Sequence, residues 1–240
     1  MSARHLAVIA GSGMGALAAL VDAGRVVPFA DIDGVGACGV DGHAGEVRTG
    51  TIGSRPCTLV LGRRHGYEGE FGAVERLVAW LADNGTTDLL VASAAGGLRA
   101  HLEPGDLVVF HDLLDRQDRP PGPDRLGLDP GLTREVEAAA RRAGVLAHRG
   151  TAVCGIGPAY ETRAEVAALQ LAGGDVATMS GAPEIAAARA VGLRVAAVAL
   201  VTNPCTGIAA AVPSHADVLR VGRESSGRLA ALVSQLVVNM

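Results

Sequence analysis

The residue type that this 240-residue chain does without is lysine. All 21 of its Lys+Arg residues are arginines. Schiff-base catalysis, the Walker A phosphate loop and the usual protein-kinase site each need a primary amine, so the sequence excludes all three. A phosphate group bound here must be held by arginine, histidine, hydroxyl groups or backbone N–H groups.

Cysteine and charge are also sparse. The cysteines Cys38, Cys57, Cys154 and Cys205 show no C-x-x-C spacing, which predicts reduced thiols and a cytoplasmic location. The formal net charge of −4 offers no basic field for nucleic acid, and the apolar stretch at the N-terminus is too short for a signal peptide or a membrane span. We expect no metal site, no cofactor, no nucleic-acid partner and no membrane partner.

Short apolar runs rich in valine and isoleucine alternate with Ala/Leu/Arg stretches of helical period. This alternation predicts one α/β domain, residues 1–240, around a mostly parallel or mixed sheet. The expected strands are His5–Ala10, Thr58–Leu61, Leu89–Ala92, Leu107–Phe110, Thr151–Cys154, Val176–Met179 and Val195–Val201. The expected helices are Phe71–Asn84, Leu132–Ala143, Ala164–Ala172, Pro183–Val191 and His215–Val237.

Two segments depart from this alternation. Gly34–Gly53 is glycine-rich and has no helical period, so we expect hairpin strands joined to the main sheet. Asp115–Pro130 is rich in proline, glycine and charge, which predicts a long loop that acts as a lid or an intersubunit contact.

The first candidate motif is Gly11–Ala16, GSGMGA, directly after a predicted strand. A glycine turn there can cradle an anion on its N–H groups, and Ser12 adds a hydroxyl. The pattern also fits a dinucleotide fingerprint, with Asp31 about twenty residues further on. A tight turn without any ligand is the third interpretation, and the motif alone does not separate the three.

The second motif is Arg63–Gly69, RRHGYEG, at the end of another predicted strand. Arg63 and His65 are two residues apart and can face the same side, where they can clamp a phosphate, the arginine donating two bonds. A solvated charge cluster in a turn is the alternative. Tyr67 favours a site, because the only other tyrosine, Tyr160, lies in another candidate loop.

Two further turns follow predicted strands. In Ser93–Leu98 the small residues and Gly-Gly allow a close approach of the backbone at Ala94 to a ligand. In Asp175–Glu184, Met179 can contact a sugar face and Ser180 can bind an anion, although a core methionine and an N-cap serine would look the same.

The segment Gly157–Glu165, GPAYETRAE, combines an aromatic and a carboxylate. Tyr160 can stack on a nitrogen heterocycle while Glu161 accepts a hydrogen bond from a ring N–H. Thr162 and Glu165 also form a capping-box pattern at the start of a helix, which leaves Tyr160 and Glu161 free.

The last candidates are Asn203, at the end of a buried strand, and His215, at the start of the final helix. An asparagine both donates and accepts, so it can bridge the N7 and O6 edge of a 6-oxopurine. A neutral His215 can bond a sugar hydroxyl, or it can be an ordinary surface residue.

Taken in order, these segments resemble the purine nucleoside phosphorylases of the trimeric class, the family that includes the methylthioadenosine and methylthioinosine phosphorylases. The resemblance runs from Gly11 to about Leu219. It rests on GSGMG, GRRHGYEG, SAAGGL, EPGDLVVFHD, GPAYETRAE, MSGAPE, VTN and SHADVL. It implies a single α/β domain whose mixed sheet partly closes into a barrel flanked by helices, assembled as a homotrimer or a dimer of trimers.

The resemblance also implies a reaction: phosphate-dependent, reversible cleavage of 6-oxopurine nucleosides to free base and ribose 1-phosphate, with inorganic phosphate as co-substrate. The implied phosphate-binding residues are Ser12, Arg63, His65, Ala94 and Ser180. The implied ribose-binding residues are Tyr67, Met179 and His215. The implied base-binding residues are Tyr160, Glu161 and Asn203. Asn203, Glu161 and His65 carry the catalytic roles.

Three positions depart from the family pattern. Ser93 stands where asparagine is usual, Leu113 replaces a histidine, and the Asp115–Pro130 loop lacks an aromatic, Leu126 being the nearest candidate. Asn203 favours hypoxanthine or guanine, since relatives acting on 6-aminopurines carry aspartate there, and His215 favours a free 5′-hydroxyl. A 5′-methylthioinosine or other 5′-modified nucleoside phosphorylase, a nucleosidase and a non-catalytic nucleoside-binding relative are the alternatives.

Overall fold

The protein is built on a nine-stranded mixed β-sheet. The computed structural model describes residues 4–39, 43–68, 71–117, 127–209 and 214–240. The strands are β1 (Leu6–Ala10), β2 (Asp22–Pro28), β3 (Glu46–Ile52), β4 (Arg55–Leu61), β5 (Asp88–Gly97), β6 (Leu107–Arg116), β7 (Ala147–Gly155), β8 (Val176–Thr178) and β9 (Arg194–Pro204). The helices are α1 (Phe71–Asp83), α2 (Pro130–Arg142), α3 (Arg163–Leu171), α4 (Ala182–Ala190) and α5 (His215–Val238).

The sheet closes on itself along one half. Its order is β2-β3-β4-β1-β5-β8-β7-β6-β9, and β9 also pairs with β5, so β5, β8, β7, β6 and β9 form a closed ring. β1 is parallel to β4 and β5, and β5 is parallel to β9. This confirms the α/β fold with a mixed sheet partly closed into a barrel, and it brings the carboxyl ends of these four strands to one edge.

Two helix layers cover the sheet. Successive residues of β1 face opposite sides: Ala7 and Ile9 pack with the apolar stripe of α1 (Val74, Leu77, Val78 and Leu81), while Leu6 and Val8 pack with residues of α2 and α5. A strand buried on both faces has a continuous run of apolar residues, and this run is the pattern that predicts β1 from the sequence. None of the helices in the described ranges has the length and apolar character to cross a membrane.

The glycine-rich segment Gly34–Gly53 is only partly strand. Its second part, Glu46–Ile52, pairs antiparallel with β4 as a hairpin, but the described residues before Glu46 are irregular, with Gly34, Gly36 and Gly45 at positive φ. The predicted strands omitted β2, an edge strand that pairs only with β3. An edge strand is half solvated, so its sequence lacks the apolar run by which the central strands were found.

The predicted Asp115–Pro130 loop is shorter than expected. Strand β6 continues through Arg116, and α2 begins at Pro130 with Asp129 as its N-cap. Residues 118–126, which include Leu126, lie outside the described residues. Leu113 is buried within β6.

The GSGMGA turn packs against the last helix. Gly13 has φ +77°, and a Cβ on it would lie 2.8 Å from the Cα of Gly222 in α5. The residues after the turn, Gly15–Leu20, form a 3-10 helix, and β2 follows at the antiparallel edge. Residues 6–28 therefore do not form the strand–helix–strand unit that a dinucleotide fingerprint requires.

Alanine substitutions at the two glycines of α5 are expected to have opposite effects on the stability of the protein. Gly222→Ala is expected to destabilise the protein by about 1–3 kcal/mol, because its methyl group would overlap Gly13. Gly227→Ala is the matched control: its Cβ would meet no described atom within 4 Å, so helix propensity should stabilise the protein by about 1 kcal/mol. Urea unfolding of both variants measures this, and equal effects would contradict the Gly13–Gly222 contact.

Candidate active site

A cleft of about 710 Å³, measured out to solvent, opens at the carboxyl edge of β1, β4, β5 and β9. All eleven residues assigned from the sequence line it: Ser12, Arg63, His65, Tyr67, Ala94, Tyr160, Glu161, Met179, Ser180, Asn203 and His215. Ser12, Arg63, Ala94 and Asn203 are brought together because β1, β4, β5 and β9 are parallel and end at one edge. Met179 and Ser180 instead follow β8, which pairs antiparallel with β5.

Arg63 forms a buried ion pair at the base of the cleft. Its Nη1 lies 2.9 Å from Oε1 of Glu184, and the two side chains are 1% and 2% exposed. Nη1 also donates to Ser93 Oγ at 3.3 Å, and Nη2 donates to the carbonyls of Ile9 and Ala92. All four terminal N–H groups are thereby used within the protein, and Nε is a buried donor without a described partner. The terminal nitrogens therefore do not form the free two-bond phosphate clamp expected from the sequence.

Glu184 was not among the predicted site residues. Its second oxygen, Oε2, accepts from the Gly181 N–H at 2.8 Å, which fixes the turn that carries Ser180 into α4. The sequence signal is an acid in the first turn of a predicted helix, a position that ordinarily suits the helix dipole on the surface. Its burial against Arg63 is a long-range feature that local sequence does not report.

A chain of hydroxyl groups leads from Arg63 to the cleft. Ser93 Oγ, held by Arg63, accepts from Ser180 Oγ at 3.1 Å. Ser180 Oγ lies 3.3 Å from Thr178 Oγ1, which donates to the Ala94 carbonyl at 3.1 Å. Ser180 and Ala94, expected to bind phosphate, are therefore joined by hydrogen bonds.

His43 is a second residue that the sequence assignments missed. Its Nε2 lies 3.1 Å from Ser12 Oγ, and its ring stacks on His65 with centroids 5.3 Å apart. His65 in turn stacks on Tyr67 at 5.0 Å. In the sequence, His43 stands in the irregular segment before β3 and belongs to no recognisable motif. Long-range folding brings it against the Gly11–Ala16 turn.

The backbone of Arg63 sets the position of the His43 ring. His43 Nδ1 lies 3.2 Å from both the backbone nitrogen and the carbonyl oxygen of Arg63, and the Cys38 thiol donates to the same carbonyl at 3.2 Å. In the tautomer whose Nδ1 accepts from the Arg63 N–H, Nε2–H donates to Ser12 Oγ and leaves the Ser12 hydroxyl proton for another acceptor; in the tautomer whose Nδ1 donates to the carbonyl, Nε2 accepts from Ser12.

Both stacked imidazoles are neutral at neutral pH. Burial, reinforced by the charge of Arg63, lowers the pKa of His43 to about 4 and that of His65 to about 3. The backbone N–H of His65 donates to Glu68 Oε2 at 2.7 Å, and this bond holds the turn that carries the imidazole ring. This end of the cleft thus offers hydrogen-bond donors without additional full positive charges.

Three further residues that line the cleft are Tyr67, Met179 and His215. Gly157, at φ +74°, passes so close that a Cβ would lie 2.5 Å from Met179 Sδ and 3.1 Å from the Tyr67 ring. Burial raises the pKa of Tyr67, so its phenol remains a donor at neutral pH. His215 is the first residue of α5, whose N-cap is Ser214.

Asn203 also lines the cleft and is 8% exposed. Thr202 Oγ1 is 3.0 Å from Asn203 Oδ1, and Asn203 Nδ2 donates to the Pro204 carbonyl at 3.0 Å. An amide has two N–H groups and two acceptor positions, so one donor and one acceptor are left for a ligand.

Tyr160 and Glu161 line the cleft as well. The capping box predicted for α3 is present, with Thr162 and Glu165 bonded to each other's backbone N–H, and it leaves Tyr160 and Glu161 at the cleft wall. Burial raises the pKa of Tyr160, with Glu161 adding to the effect, so this side chain is also a neutral phenol.

The chain has clear relatives. The model of the phosphorylase superfamily matches residues 5–238. Purine nucleoside phosphorylase of Mycobacterium tuberculosis is 36% identical, over 97% of this chain and 88% of the relative, and purine nucleoside phosphorylase 1 of Geobacillus stearothermophilus is 30% identical over 98% and 91%. The structure of Schistosoma mansoni purine nucleoside phosphorylase with inosine superposes with a TM-score of 0.87 at 29% identity, covering 99% of this chain and 90% of that one.

The chain therefore belongs to the phosphorylase superfamily, among relatives that are purine nucleoside phosphorylases. It is an enzyme of the pentosyltransferase class. The resemblance to the purine nucleoside phosphorylase family, inferred from the ordered motifs, is confirmed.

The buried histidines predict a loss of stability in acid. Below pH 6.5 the unfolded chain protonates His43 and His65, whereas the folded chain does so only near pH 4 and pH 3. Stability is therefore lost as the pH falls through this window, by at most about 1.4 kcal/mol per pH unit for each histidine. The free energy of unfolding, measured by urea at pH 7.5, 6 and 5, should fall less steeply in His43→Asn. The exposed His101→Asn variant is the control, and a wild-type slope in His43→Asn would contradict this assignment.

Proposed function

We propose that the protein catalyses the phosphate-dependent, reversible cleavage of inosine and guanosine to free base and ribose 1-phosphate. The observation that carries the proposal is the set of groups that line one cleft together: hydroxyls and imidazoles suited to an anion, Tyr67 and Met179 suited to a sugar, and Asn203 and Glu161 suited to a purine. The similar Schistosoma phosphorylases were crystallised with hypoxanthine, inosine, guanosine and adenosine, which supports a purine nucleoside substrate, and the preference for 6-oxopurines rests on Asn203.

At the phosphate end, Ser12, Ser180, His65 and the backbone at Ala94 donate to the anion. Arg63 acts through its fixed charge and its Nε–H, because its terminal nitrogens are occupied. Phosphate bound here faces the anomeric carbon of the ribose. It stabilises the positive charge of an oxocarbenium-like transition state and attacks from the face opposite the base.

At the ribose, Tyr67 and His215 bond hydroxyl groups while Met179 packs on the sugar face. A neutral phenol is the appropriate donor here, because a phenolate would compete with phosphate for the developing positive charge. Gly157 packs so closely on Met179 and Tyr67 that a larger side chain would not fit at this position.

At the base, Asn203 uses its remaining donor toward O6 and its remaining acceptor toward the N7–H that forms as the base leaves. Glu161 accepts from N1–H, and Tyr160 packs against the ring. The leaving purine is stabilised by groups that are already in place, so catalysis consists of positioning and electrostatics without a protein nucleophile.

A substrate panel with and without phosphate tests this proposal. Inosine and guanosine should release base only when phosphate is present, and adenosine should react slowly. A higher kcat/KM for 5′-methylthioinosine than for inosine would support the 5′-modified alternative. Equal base release without phosphate would instead indicate a nucleosidase.

Asn203→Asp is expected to reverse the base preference. A carboxylate repels O6 but accepts from a 6-amino group, so the ratio of inosine to adenosine kcat/KM should fall by about 100-fold, on the order of 2–3 kcal/mol. Asn84→Asp, at an exposed site after α1, is the control and should leave the ratio unchanged. An unaltered ratio in Asn203→Asp would refute the base assignment.

We also propose a homotrimer, or a dimer of trimers, with the clefts near the subunit contacts. Ile156 and Tyr160 support this, since they are 41% and 39% exposed beside the cleft in the single chain. Apolar groups at such a rim suit a protein contact. Light scattering coupled to size exclusion measures the assembly, and a stable monomer would contradict it.

A further inference from the structure

Ser93 lies behind the cleft, in β5, between two groups of the phosphate end. It is 1% exposed and is not part of the cleft lining. Its Oγ accepts from Arg63 Nη1 at 3.3 Å and lies 3.1 Å from Ser180 Oγ. Ser93 is therefore the link between a buried cation that is mostly unavailable to ligand and a hydroxyl that faces the cleft.

The hydrogen bond between the Ser93 and Ser180 hydroxyls can run in either direction, because each hydroxyl carries one proton. Without ligand, Ser180 donates to Ser93, and the proton of Ser93 has no described acceptor. Arg63 cannot accept, so the acceptor within reach of the Ser93 proton among the described residues is Ser180 Oγ itself. Reversing the bond supplies the buried Ser93 proton with an acceptor and frees the proton of Ser180.

We propose that Ser93 is a positioning residue for phosphate. On the basis of the proposed phosphorolysis, we infer that anion binding exchanges the donor and the acceptor of the Ser93–Ser180 hydrogen bond. The order then becomes Arg63 N–H to Ser93, Ser93 O–H to Ser180, and Ser180 O–H to a phosphate oxygen. In this way the charge of Arg63 polarises a hydroxyl donor although its terminal nitrogens are held by Glu184 and backbone carbonyls.

Thr178 makes the direction of Ser180 matter. Thr178 Oγ1 donates to the Ala94 carbonyl, so toward Ser180, 3.3 Å away, it can only accept. When Ser93 does not donate to Ser180, no described group prevents the Ser180 hydroxyl from donating its proton to Thr178 Oγ1. Ser93 thus shifts the Ser180 proton from an internal acceptor to the anion.

Steady-state kinetics with inosine and inorganic phosphate, varied separately, test this role. Ser93→Ala should raise the phosphate KM by about 10-fold, the effect of one hydrogen bond, while the inosine KM stays within about twofold. Ser93→Thr keeps the hydroxyl and should restore the phosphate KM. Ser93→Cys, with its weaker donor, should give an intermediate value, and it carries the test if Ser93→Ala does not fold.

A double-mutant cycle separates positioning from a general structural effect. In a Ser180→Ala background, Ser93→Ala or Ser93→Cys should leave the phosphate KM unchanged, because the hydroxyl that Ser93 orients is gone. Additive effects, or a wild-type phosphate KM in both Ser93 variants, would overturn the proposal.

The same experiment distinguishes this inference from the proposed function. Wild-type enzyme that releases base equally with and without phosphate would refute phosphorolysis itself. Wild-type enzyme that requires phosphate, together with Ser93 variants that raise the KM values of inosine and phosphate equally, would refute only the role of Ser93.

Discussion

The buried pair of Arg63 and Glu184 is the interaction on which the site depends. It joins the end of β4 to the first turn of α4, and the carbonyls of Ile9 and Ala92 bring β1 and β5 to the same guanidinium. A buried charge is tolerated when it is paired and hydrogen-bonded, as the four terminal N–H groups of Arg63 are. A planar fork with five N–H groups can satisfy four acceptors at once, which an ammonium cannot, so arginine suits this position in a chain without lysine.

This arrangement determines the electrostatics of the phosphate end. The charge of Arg63 is balanced by Glu184, and the imidazoles of His43 and His65 are kept neutral by burial and by Arg63 itself. In the proposed function, recognition of phosphate there depends on oriented donors more than on net charge. The hydroxyls of Ser12 and Ser180 each lie within hydrogen-bond distance of a residue that contacts Arg63. For Ser12 this residue is His43, which contacts the Arg63 backbone, and for Ser180 it is Ser93, which contacts the Arg63 guanidinium.

Much of the site was predictable because parallel strands end at one edge. Ser12, Arg63, Ala94 and Asn203 belong to or follow β1, β4, β5 and β9, and each lies in a local motif. His43 and Glu184 were not predictable in this way, since one lies in an irregular segment and the other looks like an ordinary helix-start acid. The occupied donors of Arg63 are equally invisible to sequence, because they depend on burial and distant carbonyls. The edge strand β2 was missed for lack of an apolar run.

We propose that phosphate, and not water, receives the sugar. Phosphorus-31 NMR of the enzyme with inosine and inorganic phosphate tests this proposal, because it observes the bond that forms. A new phosphomonoester signal is expected to grow in equal amount with free hypoxanthine while the inorganic phosphate signal declines. Release of hypoxanthine with an unchanged phosphorus spectrum would contradict the proposal.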